Sequence, residues 1–190
     1  MSTFEIQHVP KQMAVFTTIL DDHVEFNKYL KQVILEHRQK FPETTKSNVK
    51  AWHSSWTTHD ENPKFQPLVD RVVDACKFIS EGYYEGGNDL EYHVINMWAM
   101  MYEDTEWTKK HSHFPSDFAV AYYVDVEPGC APVIFESVVK DGVNNNNQPL
   151  TLQPQNGMLA IWPAILHHEV PPTKGRRMCI SLNIEKGEKK

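Results

Sequence analysis

Two stretches in the front half of the chain return to apolar residues every three or four positions. Between Asp22 and Lys40 the residues Phe26, Tyr29, Leu30, Val33, Ile34 and His37 fall at this spacing, which predicts a helix with Asp21 or Asp22 at its start. A second helix is predicted from about Pro63 to Ser80. There Phe65, Leu68, Val69, Val72, Cys76 and Ile79 form one stripe, and Asn62 followed by Pro63 supplies a cap and a first-turn residue. An apolar stripe needs a cover, and a sheet is the expected one.

Past Gly86 and Gly87 the period falls from helical to two. HVINMWAMMY, DFAVAYYVDV, APVIFES, GMLAIWP and RRMCISLNIE are short runs rich in β-branched and aromatic residues, separated by Pro, Gly and Asn. Strands that follow one another without helices between them predict an antiparallel sandwich or barrel. The expected organisation is one domain over residues 1–190, with a helical portion at 1–87 packed on a β core at 88–185. Asn144 to Asn147 reads as a surface loop between strands, and Lys186 to Lys190 as a charged, disordered tail.

Composition narrows the class. Apolar residues make up 41% of the chain and aromatics 11%, enough for a packed core, and the formal charge of −6 is interspersed. This balance argues against a general nucleic-acid binder. No apolar run is long enough for a transmembrane helix, and the opening MSTFEIQHVPKQMAVF lacks the layout of a signal peptide. Cys76, Cys130 and Cys179 are odd in number and far apart, as expected of reduced thiols. The expectation is a cytoplasmic protein with no membrane or nucleic-acid partner, and a homodimer as the default assembly.

The candidate chemistry lies in HSHFPSDFAVAYYV and LHHEVPPTKGRR. His111 and His113 are two apart at the start of a predicted strand, so extended backbone sends both rings to one face. Neutral imidazoles there suit iron, zinc or copper. His167 and His168 are adjacent and point to opposite faces, so only one of them can share that metal. In the last strand Arg177, Cys179, Ser181 and Asn183 take one face, and Met178, Ile180, Leu182 and Ile184 the other. The apolar set is expected to pack on helices or a second sheet, which turns the polar set toward a cavity. A guanidinium there can grip a carboxylate with two parallel hydrogen bonds. Trp98, Trp107, Trp162 and the methionines at 97, 100 and 101 are assigned to the core.

The segments NMWAMMYEDTEWTKKHSHFPSDFAVAYYV and QPQNGMLAIWPAILHHEVPPTKGRRMCISLNI, with SNVKAWHSSW ahead of them, resemble the 2-oxoglutarate/iron(II)-dependent oxygenases of the prolyl-hydroxylase-like group. The resemblance implies a jelly-roll, cupin-like double-stranded β-helix with the N-terminal helices on one sheet. It implies an oxidoreductase that uses iron(II) and 2-oxoglutarate, hydroxylates a peptide or small molecule, and releases succinate and carbon dioxide. It makes His111 and His168 iron ligands, since HEVPP fits the group's histidine step at His168. It assigns Arg177, nine positions on, to the far carboxylate of 2-oxoglutarate, with Tyr122 or Tyr123 and Ser181 assisting. One position departs from the pattern: where the wider group carries Asp or Glu, this chain has His113. His113 is expected to complete the triad, with Asp117 as the alternative ligand or a supporting partner. Two other readings compete. One is a three-histidine, cupin-like dioxygenase that does not use 2-oxoglutarate, and the other is a non-catalytic β-helix that binds a ligand or partner.

Overall fold

The structure is a computed structural model that describes residues 13–41, 46–84, 87–136 and 149–188. In chain order the elements are β1 (Phe16–Ile19), α1 (His23–Lys40), β2 (Val49–Lys50), β3 (Trp52–His53), α2 (Thr58–Glu61), a 3-10 turn (Pro63–Phe65) and α3 (Gln66–Tyr83). Then come β4 (Leu90–Tyr102), β5 (Trp107–His111), β6 (Phe118–Val126), β7 (Val133–Phe135), β8 (Leu150–Leu152), β9 (Met158–Pro163), β10 (His168–Val170) and β11 (Arg177–Glu188). The strands form a six-stranded sheet in the order β1-β9-β6-β11-β4-β3 and a five-stranded sheet in the order β2-β5-β10-β7-β8. Every pairing between these strands is antiparallel.

Both predicted helices form and lie on the larger sheet, α1 against β6 and α3 against β4. In α1 the buried face is Phe26, Leu30, Val33, Ile34 and His37, while Tyr29 stays at the surface. The second helix starts in two steps: the Asn62 side chain accepts from the Lys64 N–H (3.1 Å) to cap the 3-10 turn, and α3 continues from it. Such a cap contributes about 1 kcal/mol. Phe65, Leu68, Val72 and Cys76 then meet Met97, Ala99, Val120, Tyr122, Ile180 and Leu182 in one sealed layer.

The N-terminal portion is more than helical. β1 closes one edge of the larger sheet on β9, β3 closes the other on β4, and β2 extends the smaller sheet on β5. These edges are too short for an alternating pattern to show, and their partners lie far along the chain. The tail also departs from expectation, because β11 continues through Lys186 to Glu188, paired with the start of β4. The loop at 144–147 lies outside the described residues. Among the described residues no helix is long and apolar enough to cross a membrane.

The two faces of the larger sheet follow from alternation. In β6 Phe118, Val120, Tyr122 and Val124 turn to the helices, while Ala119, Ala121 and Tyr123 turn to the smaller sheet. Ala160 on β9 and Ala164 just after it add small side chains on the second side. Small residues on this face leave room between the sheets, and a cavity of about 380 Å³ occupies it. Gly157, at φ +79°, makes the tight turn into β9, where any side chain would run into His23 at the head of α1.

Candidate metal centre and co-substrate cavity

Strand pairing brings the distant histidines together. His168 opens β10 directly opposite His111, the last residue of β5. His113 follows two residues later in the link to β6, its N–H held by the Ala164 carbonyl at 2.8 Å. The expectation that His111 and His113 begin a strand therefore changes: His111 ends β5, and β6 starts only at Phe118. WTKKH has too little apolar alternation for sequence to reveal it as a strand. The ligand-type atoms of His111, His113 and His168 all lie within 4.8 Å of one another, a group that could hold a metal ion.

The hydrogen bonds of the three rings decide which nitrogens face that point. The Nδ1–H of His111 donates to the Lys109 carbonyl (2.8 Å) and that of His168 to the Leu166 carbonyl (3.1 Å). A carbonyl only accepts, so both protons sit on Nδ1 and both Nε2 lone pairs are left for a metal. His113 does the same through Asn183 Oδ1 at 2.5 Å, and Asn183 is oriented in turn by donating to Asn96 Oδ1 at 3.2 Å. Burial depresses the pKa of all three, His113 to about 4 and His168 well below its ordinary value, with the other two rings adding repulsion at His168. At neutral pH the imidazoles are uncharged and need lose no proton to bind a cation. His167 points away and is exposed.

Arg177 sits deep in the same cavity, 2% exposed, on the face of β11 that also carries Cys179, Ser181 and Asn183. Its guanidinium stacks over Tyr102 at 4.4 Å and lies 5.9 Å from the Tyr123 ring. One terminal nitrogen donates to the Ala131 carbonyl (3.1 Å), while Nε is buried without an acceptor. A buried cation with an unsatisfied donor calls for an anionic acceptor.

Two expected residues do not reach this cavity. Tyr122 faces the helices, where its hydroxyl donates to Asn27 Oδ1 at 2.6 Å; of the two tyrosines only Tyr123 lines the cavity. Large and small residues alternate along β6, and that signal in the sequence could have separated them. Asp117 is turned to β11, where it accepts from the Lys186 N–H (2.9 Å) and pairs with its ammonium (3.1 Å), and among the described residues it joins no metal group. Trp98, Trp162 and Met100 are core residues, as assigned, and they also form walls of the cavity. Trp98 stacks on His113 (5.6 Å, 15°), and Trp162 sets its ring edge-on to His168 (5.0 Å) with its N–H buried and unpartnered.

Comparison with known proteins agrees with this geometry. Residues 96–183, which span β4 to β11 and all these side chains, match the family described as "Putative 2OG-Fe(II) oxygenase". This stretch is similar to a 2OG-Fe(II) oxygenase domain. Among solved structures, a prolyl-4-hydroxylase from Pseudomonas putida aligns at TM-score 0.67 and 11% identity, covering 92% of this chain and 94% of that one. A Trichoplax adhaerens prolyl hydroxylase, in complex with a hypoxia inducible factor peptide fragment, aligns at 0.65 and 15%, covering 91% and 83%. HygX from Streptomyces hygroscopicus, with nickel and 2-oxoglutarate bound, aligns at 0.62 and 9%, covering 91% and 83%. At these identities the likeness is one of fold, the double-stranded β-helix. No curated protein matches the chain.

The matched family is one of oxidoreductases that use iron(II) and 2-oxoglutarate. The donor set fits both: three neutral Nε2 atoms for the metal, and a buried guanidinium with a vacant donor for a carboxylate. Around the mouth of the cavity stand Trp56, Ile95 and Phe114, all large, apolar and exposed. Ile95 is the extra residue of a bulge in β4, since Asn183 pairs with Asn96 and Ile184 with Val94; bulges of this kind re-aim side chains. The segment that carries Trp56 is clamped to β4. The Ser54 N–H donates to the Ala99 carbonyl (3.0 Å), the Ala99 N–H donates to Ser54 Oγ (2.9 Å), and the Met97 N–H donates to the Trp56 carbonyl (2.9 Å).

Proposed function

We propose that this oxygenase hydroxylates a C–H bond of a primary substrate, converting 2-oxoglutarate to succinate and carbon dioxide in the same turnover. His111, His113 and His168 would hold iron(II), and Arg177 the far carboxylate of 2-oxoglutarate. The observation that carries this reading is the convergence of three imidazoles, each with its Nδ1–H engaged and its Nε2 left free, in the cavity that also buries Arg177. When bound, iron(II) and 2-oxoglutarate together activate dioxygen for attack on an unreactive C–H bond.

The chain's own residues bind and orient. The guanidinium of Arg177, over the Tyr102 ring and near that of Tyr123, presents its vacant donor to a carboxylate, and Ser181 lines the same cavity further along β11. Trp98 and Trp162 pack the histidine rings in place and keep bulk water from their far sides. None of the three ring protons is given to a carboxylate, and no carboxylate stands in the metal group. A divalent ion near Arg177 therefore meets only neutral donors, so a dianionic co-substrate and the metal bind cooperatively.

Anaerobic titration with iron(II), with and without 2-oxoglutarate, tests this. The expected result is a charge-transfer absorption band that needs both, with iron affinity raised about tenfold or more by the co-substrate. Under oxygen, succinate accumulates. Arg177→Ala should weaken 2-oxoglutarate binding about 100-fold, and His168→Ala should abolish iron binding while the fold persists. Undiminished iron binding in His168→Ala, or turnover without 2-oxoglutarate, overturns the reading.

A further inference from the structure

The cavity face of β11 continues one step beyond the metal group. Arg177, Cys179, Ser181, Asn183 and Glu185 alternate along it, and all five line the cavity. Asn183 marks the level of the histidines, because it accepts from His113. Arg177 lies on one side of that level. Glu185 lies on the other, about 7 Å further along the strand at two residues' rise. If 2-oxoglutarate fills the space between Arg177 and the metal, as proposed above, the primary substrate approaches from the side of Glu185.

The carboxylate there is poorly provided for. Glu185 is half-buried, its backbone pairs with His93 on β4, and among the described residues its carboxylate makes no hydrogen bond or ion pair. The neighbouring Asp117 has Lys186, but Glu185 has no such partner. With the histidines neutral, Arg177 and Glu185 are the charged side chains lining the cavity among the described residues, one toward each end of the β11 wall. Glu185 faces His93 across the ladder to β4, and the exposed apolar residues that line the same cavity are Ile95, Phe114 and Trp56. The Trp56 ring already carries one ammonium, that of Lys46, 4.6 Å from its centroid, as expected of a π face that welcomes cations. A half-desolvated carboxylate beside an apolar wall selects a cation on an alkyl stem and repels anions.

We infer that Glu185 is a specificity-determining residue that binds an ammonium group on the primary substrate, whose aliphatic stem rests on Ile95, Phe114 and Trp56. The substrate class is an alkylamine, either free or as a lysyl side chain. This inference rests on the oxygenase reading for the direction of approach, but its charge selection is separable.

The test uses Nα-acetyl-lysine methylamide with its norleucine and glutamate counterparts, pentylamine, and a pentapeptide with lysine at its centre. Binding is followed through tryptophan fluorescence, to which Trp56 and Trp98 at the cavity contribute. It is measured on the iron(II)- and 2-oxoglutarate-loaded protein without oxygen and on the protein without either. The lysine probe should bind about tenfold or more tightly than the norleucine probe. Glu185→Gln should erase that preference, and Glu185→Lys should turn it toward the glutamate probe, with thermal melting confirming that both variants fold. A stronger response to pentylamine than to the pentapeptide identifies a free amine, and the reverse identifies a lysyl residue. Equal binding of the lysine and norleucine probes, or a preference that survives Glu185→Gln, overturns the inference. Loss of iron or 2-oxoglutarate uptake with the charge preference intact would sink the oxygenase chemistry and leave the inference standing.

Discussion

The two faces of the larger sheet are built from the same strands and share no purpose. Toward the helices, Val120, Tyr122, Ile180 and Leu182 are fully buried among aliphatic and aromatic neighbours. Toward the smaller sheet, the next residues along are Ala121, Tyr123, Cys179, Ser181 and Asn183, beside a cavity that holds an unsatisfied guanidinium nitrogen and an unsatisfied indole N–H. One face gains stability from close packing, while the other gives it up to keep space and polar atoms available. In β11 the two purposes alternate residue by residue.

That contrast can be broken most forcefully at Leu182. Leu182→Ala empties a sealed site and should destabilise the protein by about 2–5 kcal/mol in denaturant unfolding. Ser181→Ala, one residue away on the other face, should stay within about 0.5 kcal/mol. Equal losses would show that the cavity face is load-carrying after all. A smaller effect is expected at Asn183, which orients His113. Asn183→Ala should weaken iron(II) binding about 10–100-fold with little change in melting temperature. Asn183→Asp should raise it, because an anionic acceptor makes His113 a stronger donor; isothermal titration reads both.

The smallest effect is one of pH. Burial lowers the His53 pKa to about 4, so the folded chain resists a proton that the unfolded chain takes up near the ordinary 6.5. Between these values the unfolded state binds more protons. Stability is therefore complete above the ordinary value and falls as pH drops toward the depressed one. His37, also lowered chiefly by burial, acts with the same sign. Unfolding free energy should fall by about 1–2 kcal/mol from His53 alone between about pH 7.5 and about pH 5. In His53→Gln the pH slope should be correspondingly flatter.

What could be read from the sequence follows the same division. The alternation in β11 is strict, and by itself it places Arg177, Cys179, Ser181 and Asn183 on one wall. Periodicity reports that a residue is buried but not on which side of a sheet. Trp98 and Trp162 are core, as read, but periodicity does not tell that they also wall the histidines. The short edges β1, β2 and β3 left no period to detect. Asp117 shared the strand parity of His113, but the link between β5 and β6 breaks that register, and its carboxylate meets Lys186 instead. The bulge at Ile95 and the carboxylate of Glu185 depend on a pairing between strands nearly ninety residues apart, which no local pattern encodes.

The Ser54–Ala99 clamp has a consequence for altering what this protein accepts. Because a backbone bond and a return bond to the Ser54 hydroxyl hold that corner to β4, exchanging the side chain at position 56 changes the shape of the doorway without shifting the frame that supports it. A library varied at positions 56, 95 and 114 would sample new guests while leaving the buried machinery beneath untouched.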